Sequence, residues 1–182
     1  MMKRVARNSR GIAIVQKRDG NIKQSYRTGL GFGTVSGVIT TLGLIMGLDA
    51  GTHSTAAVLG GIITIAIADA LSDALGIHVS EESSKDTTER SVWESTLATF
   101  ATKLIIALTF AVPVLLLPLD TAVIASVAWG MLLLGALSVY IARLKKENAY
   151  NVLAEHWGIA VLVLLVTYLV GTYVVSPMVG AA

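Results

Sequence analysis

The sequence predicts an all-α, polytopic integral membrane protein with five transmembrane helices, on three observations. First, long uncharged or nearly uncharged stretches occupy approximately Gly29–Leu48, Thr55–Val79, Leu97–Leu117, Thr121–Ala142 and Trp157–Val175. Each is close to the roughly 20 residues a helix needs to cross a hydrocarbon core about 30 Å thick. Second, 54% of the chain is hydrophobic and only 14% charged, with a mean hydropathy of +0.70. A soluble domain carries about 25% charged residues, so this chain lacks the polar material to cover a globule. Third, 13 of the 14 Lys and Arg residues fall on one side of the predicted membrane, and the other, Lys103, lies just inside the third span from that side. The turns around Asp49–Ser54 and Pro118–Asp120 and the tail after Val175 carry none. The positive-inside rule then predicts a cytoplasmic N-terminus and an external C-terminus.

The chain divides into a basic cytoplasmic arm, residues 1–28, and a five-helix domain, residues 29–182. The arm holds Lys3, Arg4, Arg7, Arg10, Lys17, Arg18, Lys23 and Arg27. Alone, such a run reads as a nucleic-acid arm. Beside a span it reads as a topology determinant that touches anionic headgroups, and no aromatic residues interleave the early charges. The lipid membrane is therefore the expected partner, and nucleic acid is not. The apolar patch Gly11–Val15 is too brief for a signal sequence and is followed at once by Gln16–Gly20. The absence of cysteine excludes disulfides, thiolate metal ligands and cysteine nucleophiles.

In the first span, Gly29, Gly31 and Gly33 are expected to open the helix loosely. Gly33-xxx-Gly37 and Gly43-xxx-Gly47 then let two backbones approach closely in lipid. Packing inside one bundle is the simpler reading of that spacing, and a dimer seam the sharper one. A short turn folds the first two spans into a hairpin, and another does so for the third and fourth. The second helix is expected to continue beyond the membrane into a cytoplasmic loop, residues 80–96, because Ser80–Arg90 contains no Gly or Pro. Pro113 should kink the third span or interrupt its hydrogen bonding. Trp93, Tyr150 and Trp157 fall near the predicted cytoplasmic interface, where amphipathic rings are enriched.

Chemistry concentrates in the second span. Asp69 and Asp73 are four residues apart and so share one helix face. A charged Asp at the bilayer centre costs roughly 2.5–3.5 kcal/mol on insertion scales, so the pair is expected to face protein, water or a cation. Ser36 and Asp73 lie at similar depth from the cytoplasmic side, about 10 Å at 1.5 Å per residue. Thr40 and Asp69 lie about one turn deeper. These four oxygen-bearing side chains therefore form candidate ligands at two adjacent levels for a hard or borderline divalent cation. Lys103 lies about as deep as Asp73. It either pairs with the carboxylate, competes with a metal, or snorkels to the interface along its apolar stem. Glu81, Glu82, Asp86 and Glu89 lie on the cytoplasmic side, with Glu82, Asp86 and Glu89 on one face of the continued helix. Alone they read as a solvated extension, and beneath an entrance as a cation-concentrating surface. His53, His78 and His156 form no ligand spacing with one another. No HExxH, no phosphate-binding loop and no nucleophile with a plausible base is present, so an enzyme is not expected.

Two stretches resemble a known family. Gly33–Leu48 reads Gly-Thr-Val-Ser-Gly-Val-Ile-Thr-Thr-Leu-Gly-Leu-Ile-Met-Gly-Leu. It resembles the first-helix motif G-L-x-D-G-L-x-[ST]-T-L-G-L-x-x-G of the vacuolar iron transporter family. Ala68–Ser80 resembles that family's second-helix motif A-x-A-L-S-M-A-x-G-E-Y-x-S. The family's Asp corresponds to Ser36, its Met to Asp73 and the Glu of G-E-Y to Ile77, and its long cytoplasmic metal-binding region is reduced here to Ser80–Ser95. The resemblance implies five spans, a homodimer, no permanently bound cofactor, and export of Fe²⁺ or Mn²⁺ from the cytosol in exchange for protons. Exchange of a thioether for a carboxylate shifts the preference toward harder ions such as Mn²⁺. The expected location is the cell (inner) membrane of a prokaryote or a vacuolar-type membrane of a eukaryote. A membrane scaffold without transport, and a proton-coupled transporter of another solute, are the alternatives.

Overall fold

The computed structural model describes residues 2–85 and 87–180, with side chains from Gln24 onward. The described residues are helical, with no strand: α1 (Met2–Thr52), α2 (Thr55–Glu82), α3 (Glu89–Thr109), α4 (Ala111–Leu116), α5 (Leu119–Lys145) and α6 (Ala149–Val170), followed by a π-helical turn (Gly171–Val175) and α7 (Ser176–Gly180). Five segments among them are long and apolar enough to cross a membrane: Gln24–Thr52, Thr55–Glu82, Glu89–Leu116, Leu119–Lys145 and Ala149–Gly180. These five match the predicted spans, each extended at one or both ends.

The first helix is the hub of the bundle, packing against α2, α3, α5 and α6. The apolar core joins Val38, Leu42 and Ile45 of α1 to Val58 and Ile62 of α2, Phe110 and Val114 of the third span, Leu134 of α5 and Ala160 of α6. Exposed and buried positions of these helices are both largely apolar, so small residues rather than hydrophobic contrast select the seams. Gly29 and Gly33 do not loosen α1, which is continuous there; they admit the α3 backbone. A Cβ on Gly29 would lie 2.6 Å from the Ser95 carbonyl oxygen, and one on Gly33 2.9 Å from that of Thr99. Gly43 and Gly47 face Val163 and Thr167 of α6 in the same way. Both GxxxG patterns are therefore used inside the chain.

The hairpin between α1 and α2 turns on two residues. His53 adopts a left-handed conformation (φ 47°), and the Ser54 side chain caps α2 by accepting from the Ala57 amide at 3.3 Å. Pro113 acts as expected: α3 ends at Thr109 and α4 begins at Ala111, because a proline at 113 has no N–H to give the carbonyl four residues back.

The loop between the second and third spans departs from expectation. The helix stops at Glu82, and a new one begins at Glu89. Thr88 and Ser91 form a capping box, in which the Thr88 hydroxyl accepts from the Ser91 amide (3.2 Å) and the Ser91 hydroxyl from the Thr88 amide (2.9 Å). Thr87 donates its hydroxyl proton to the Glu81 carbonyl at 2.6 Å, closing the end of α2. Hydroxyl side chains that compete with the backbone ladder thus end a helix without Gly or Pro. Glu82 and Glu89 consequently lie on different helices rather than on one face, and Asp86 lies outside the described residues. Thr88→Ala should lower stability by about 1 kcal/mol, read as a lower thermal midpoint in detergent, whereas Thr88→Ser should hold it. An unchanged midpoint in Thr88→Ala would mean that the box does not set this boundary.

Candidate functional site: a buried lysine between two carboxylates

The α2 face that meets the bundle is built from Val58, Ile62, Ala66, Ala70 and Ala74, all buried. The alanines let α3 approach closely and bring Asp69 and Asp73 to the edge of that face. On α3 the buried positions Ser95, Thr99, Lys103 and Ala107 follow the same four-residue spacing. The glycine seam of α1 completes the arrangement: Gly33 and Gly37 lie against the Lys103 backbone, where a Cβ would sit 3.3 Å from its nitrogen and 3.4 Å from its Cα respectively. Ser36, beside Gly37, is thereby brought to the lysine head.

Lys103 is 1% exposed, the largest side chain among the fully buried ones, and it does not snorkel. Its ammonium donates to Ser36 Oγ at 2.8 Å and to Asp73 Oδ2. It also forms an ion pair with Asp69 Oδ2 at 2.5 Å, off the line of a hydrogen bond. Ser36 passes its own proton to Asp73 Oδ2 at 2.6 Å, so its oxygen both accepts and donates within the cluster. An isolated ammonium in such a place would be prohibitive, and three oxygen partners make it tolerable. The two carboxylates and one ammonium leave one formal negative charge. The side chains of Asp69 and Asp73 are 28% and 21% exposed, so the carboxylates can be reached from outside the chain while the lysine cannot.

Of the residues expected at the site, Asp69, Asp73 and Ser36 meet, and Lys103 joins all three. Thr40 does not: its hydroxyl donates to the Ser36 carbonyl one turn back at 2.8 Å. A Thr within a helix commonly satisfies its hydroxyl on the carbonyl four residues back. Glu81 lines a polar cavity of 300 Å³ at the end of the α1–α2 seam, together with Gln24, Ser25, Thr28, Ser80, Ser84 and Thr87. Ser80 stands seven residues from Asp73, about 10 Å along α2. Glu82 and Glu89 are exposed and outside this cavity. Among the described residues no group of three or more His, Asp or Glu side chains is arranged to hold a metal ion.

Two histidine contacts had no signal in the spacing. His78 Nδ1 lies 3.0 Å from Thr96 Oγ1, and its ring meets Trp93 edge-on at 4.8 Å. Thr96 Oγ1 also lies 2.7 Å from the Val92 carbonyl oxygen. His156 repeats the pattern, with Nδ1 2.7 Å from Ser138 Oγ, which also lies 2.6 Å from the Leu134 carbonyl oxygen. Trp157 donates to the Met131 carbonyl of α5 at 3.1 Å, and α6 begins eight residues before it at Ala149.

The fold and site define a helical bundle with five candidate spans and a lysine–dicarboxylate cluster inside it. No protein-family model, no curated protein and no solved structure matches the chain.

Proposed function

We propose that the protein is an integral membrane transporter that moves a divalent transition metal, Fe²⁺ or Mn²⁺, out of the cytosol in exchange for protons. The observation that carries this reading is the convergence of Asp69, Asp73 and Ser36 on a single buried ammonium. Intramembrane carboxylates that are paired with one another's counter-charge mark ion and proton pathways. Here the Lys103 ammonium stands in for the cargo. If Lys103 gives up its proton, the two carboxylates present two negative charges to the site, and one divalent ion neutralises them. If Lys103 is protonated again, the ion is displaced. Entry of metal and loss of a proton are thereby coupled in one set of side chains. The polar cavity beside Glu81 supplies a hydrophilic approach to the α1–α2 seam.

The orientation follows from charge: apart from Lys103, the basic residues gather in the first half of α1, around the α2–α3 connection (Lys85, Arg90) and at the C-terminal end of α5 (Arg143, Lys145, Lys146), the side that this reading assigns to the cytosol. The homodimer implied by the resemblance to vacuolar iron transporters needs a surface other than the GxxxG seams, and Gly60 and Gly76 of α2, which face open space, offer one. A second reading, a membrane scaffold without transport, is favoured by the near-complete burial of Lys103.

Proteoliposomes loaded with a divalent-sensitive dye separate the two. Uptake of Mn²⁺ or Fe²⁺ by the wild type, with Asp69→Asn and Asp73→Asn both reduced to the level of protein-free vesicles, is the expected result. Folded wild-type protein that moves neither metal under any pH gradient would favour the scaffold.

A further inference from the structure

A second cavity, of 840 Å³, lies between α1, α5 and α6, and none of the residues of the Lys103 cluster lines it. Contacts between the three helices fix its levels. His156 Nδ1 of α6 lies 2.7 Å from Ser138 Oγ of α5, and Leu153 and Trp157 lie against Gly135. Glu155 is therefore level with Leu137. Gly43 faces Val163 and Gly47 faces Thr167, and the same offset sets Val35 of α1 beside Glu155. Phe32 and Tyr140 stand three residues nearer the basic end of their helices, about 4.5 Å from that level. Arg27 and Lys145 stand eight residues from it, about 12 Å away. All of these side chains except the contact residues Ser138, Leu153, Trp157 and the glycine partners line the cavity. One carboxylate thus sits at the inner level beside aliphatic walls, with two aromatic rings between it and the charged mouth.

Glu155 joins none of the ion pairs among the described residues. At the mouth Lys145 already faces Glu147 at 4.0 Å, and Arg27 lies farther from the Glu155 level than the roughly 8 Å Debye length at physiological salt. The inner level brings no second carboxylate, the Thr34 hydroxyl donates to the Leu30 carbonyl at 2.8 Å, and His156 Nδ1 is held at Ser138. A bare metal ion, which needs several ligands, is poorly served there. A large cation with diffuse charge is weakly hydrated and needs one counter-charge, apolar walls and ring faces, all of which are present. The volume falls within the roughly 300–1,000 Å³ of sites that take a small organic molecule.

We propose that this groove binds a lipophilic organic monocation, its charge on Glu155 and its apolar or aromatic substituents against Phe32, Val35, Leu137 and Tyr140. The site is separate from the Lys103 cluster and does not depend on metal transport.

Calorimetric titration of the full chain in detergent, referenced to protein-free micelles, with tetraphenylphosphonium and with tetraphenylborate tests it. The two ions share a shape and differ in sign. Tetraphenylphosphonium should bind one per chain at roughly tenfold lower concentration than tetraphenylborate, as one ion contact together with a cation–π contact would give. Glu155→Gln should erase that preference without weakening tetraphenylborate, while Glu147→Gln, at the mouth, should retain it. Each preference is a ratio within one protein, so a partly destabilised variant still reports it. Equal binding of the two ions, no binding of tetraphenylphosphonium beyond that of the micelle, or a preference that survives Glu155→Gln would overturn the proposal. Loss of the preference in Glu147→Gln would place the cation at the mouth and overturn it as well.

Discussion

Lys103→Met is expected to be among the most damaging single substitutions in this protein, lowering stability by about 3–5 kcal/mol, the usual loss when one partner of a buried ion pair is removed. Methionine preserves the length and apolar stem but leaves Asp69 and Asp73 facing each other, with Ser36 as the nearest donor. The compensating set, Lys103→Met with Asp69→Asn and Asp73→Asn, removes all three charges and should recover most of the loss, because a neutral cluster has no ion left unpaired. A double-mutant cycle on Asp73 and Lys103, read from unfolding in detergent, should give a coupling of about 1–3 kcal/mol. Additive effects would show that the contact contributes nothing to stability. The same variants separate structure from function. The triple variant should fold and move no metal if the cluster is the transport site, and should behave as wild type in every assay if the cluster is only a scaffold.

Gly33→Val should disrupt the bundle almost as severely, through shape rather than charge. Its Cβ would meet the Thr99 carbonyl oxygen at 2.9 Å and Thr102 Cβ at 3.0 Å, and a backbone atom cannot swing aside as a flexible side chain can. The α1–α3 seam must open, at a cost of about 1–3 kcal/mol or more. Opening it draws Ser36 away from Lys103 Nζ, now 2.8 Å distant. Loss of folded yield or of thermal stability is the expected reading, together with loss of any activity that depends on the cluster. Gly31→Ala is the matched control: nothing lies within 4 Å of a Cβ there, so the change should be neutral or slightly stabilising. If Gly33→Val were as stable as Gly31→Ala, the close approach of α1 and α3 would not be required.

The spans were legible because the physics that sets them is one-dimensional. Hydrocarbon thickness fixes a run length, and a run of uncharged residues can be read directly from the chain. The break at Pro113 was legible for the same reason, since a missing N–H is a property of one residue. The end of α2 at Glu82 was not, because the Thr88–Ser91 capping box and the Thr87–Glu81 contact are choices between competing hydrogen bonds. The Asp73–Ser36 contact was foreshadowed by matched depth on two helices joined by a short turn. The spacing that paired Thr40 with Asp69 by the same logic failed, since depth says nothing of which way a hydroxyl turns.

By itself, then, the amino-acid sequence determined the five apolar helices, the gathering of basic residues between them and the same-face pair Asp69 and Asp73. Tertiary structure alone decided that Lys103 closes on both carboxylates at once, and that both GxxxG patterns are spent inside the chain. Length and periodicity act within a helix, whereas the rotation of one helix against another is set by small residues and polar contacts drawn from distant parts of the chain.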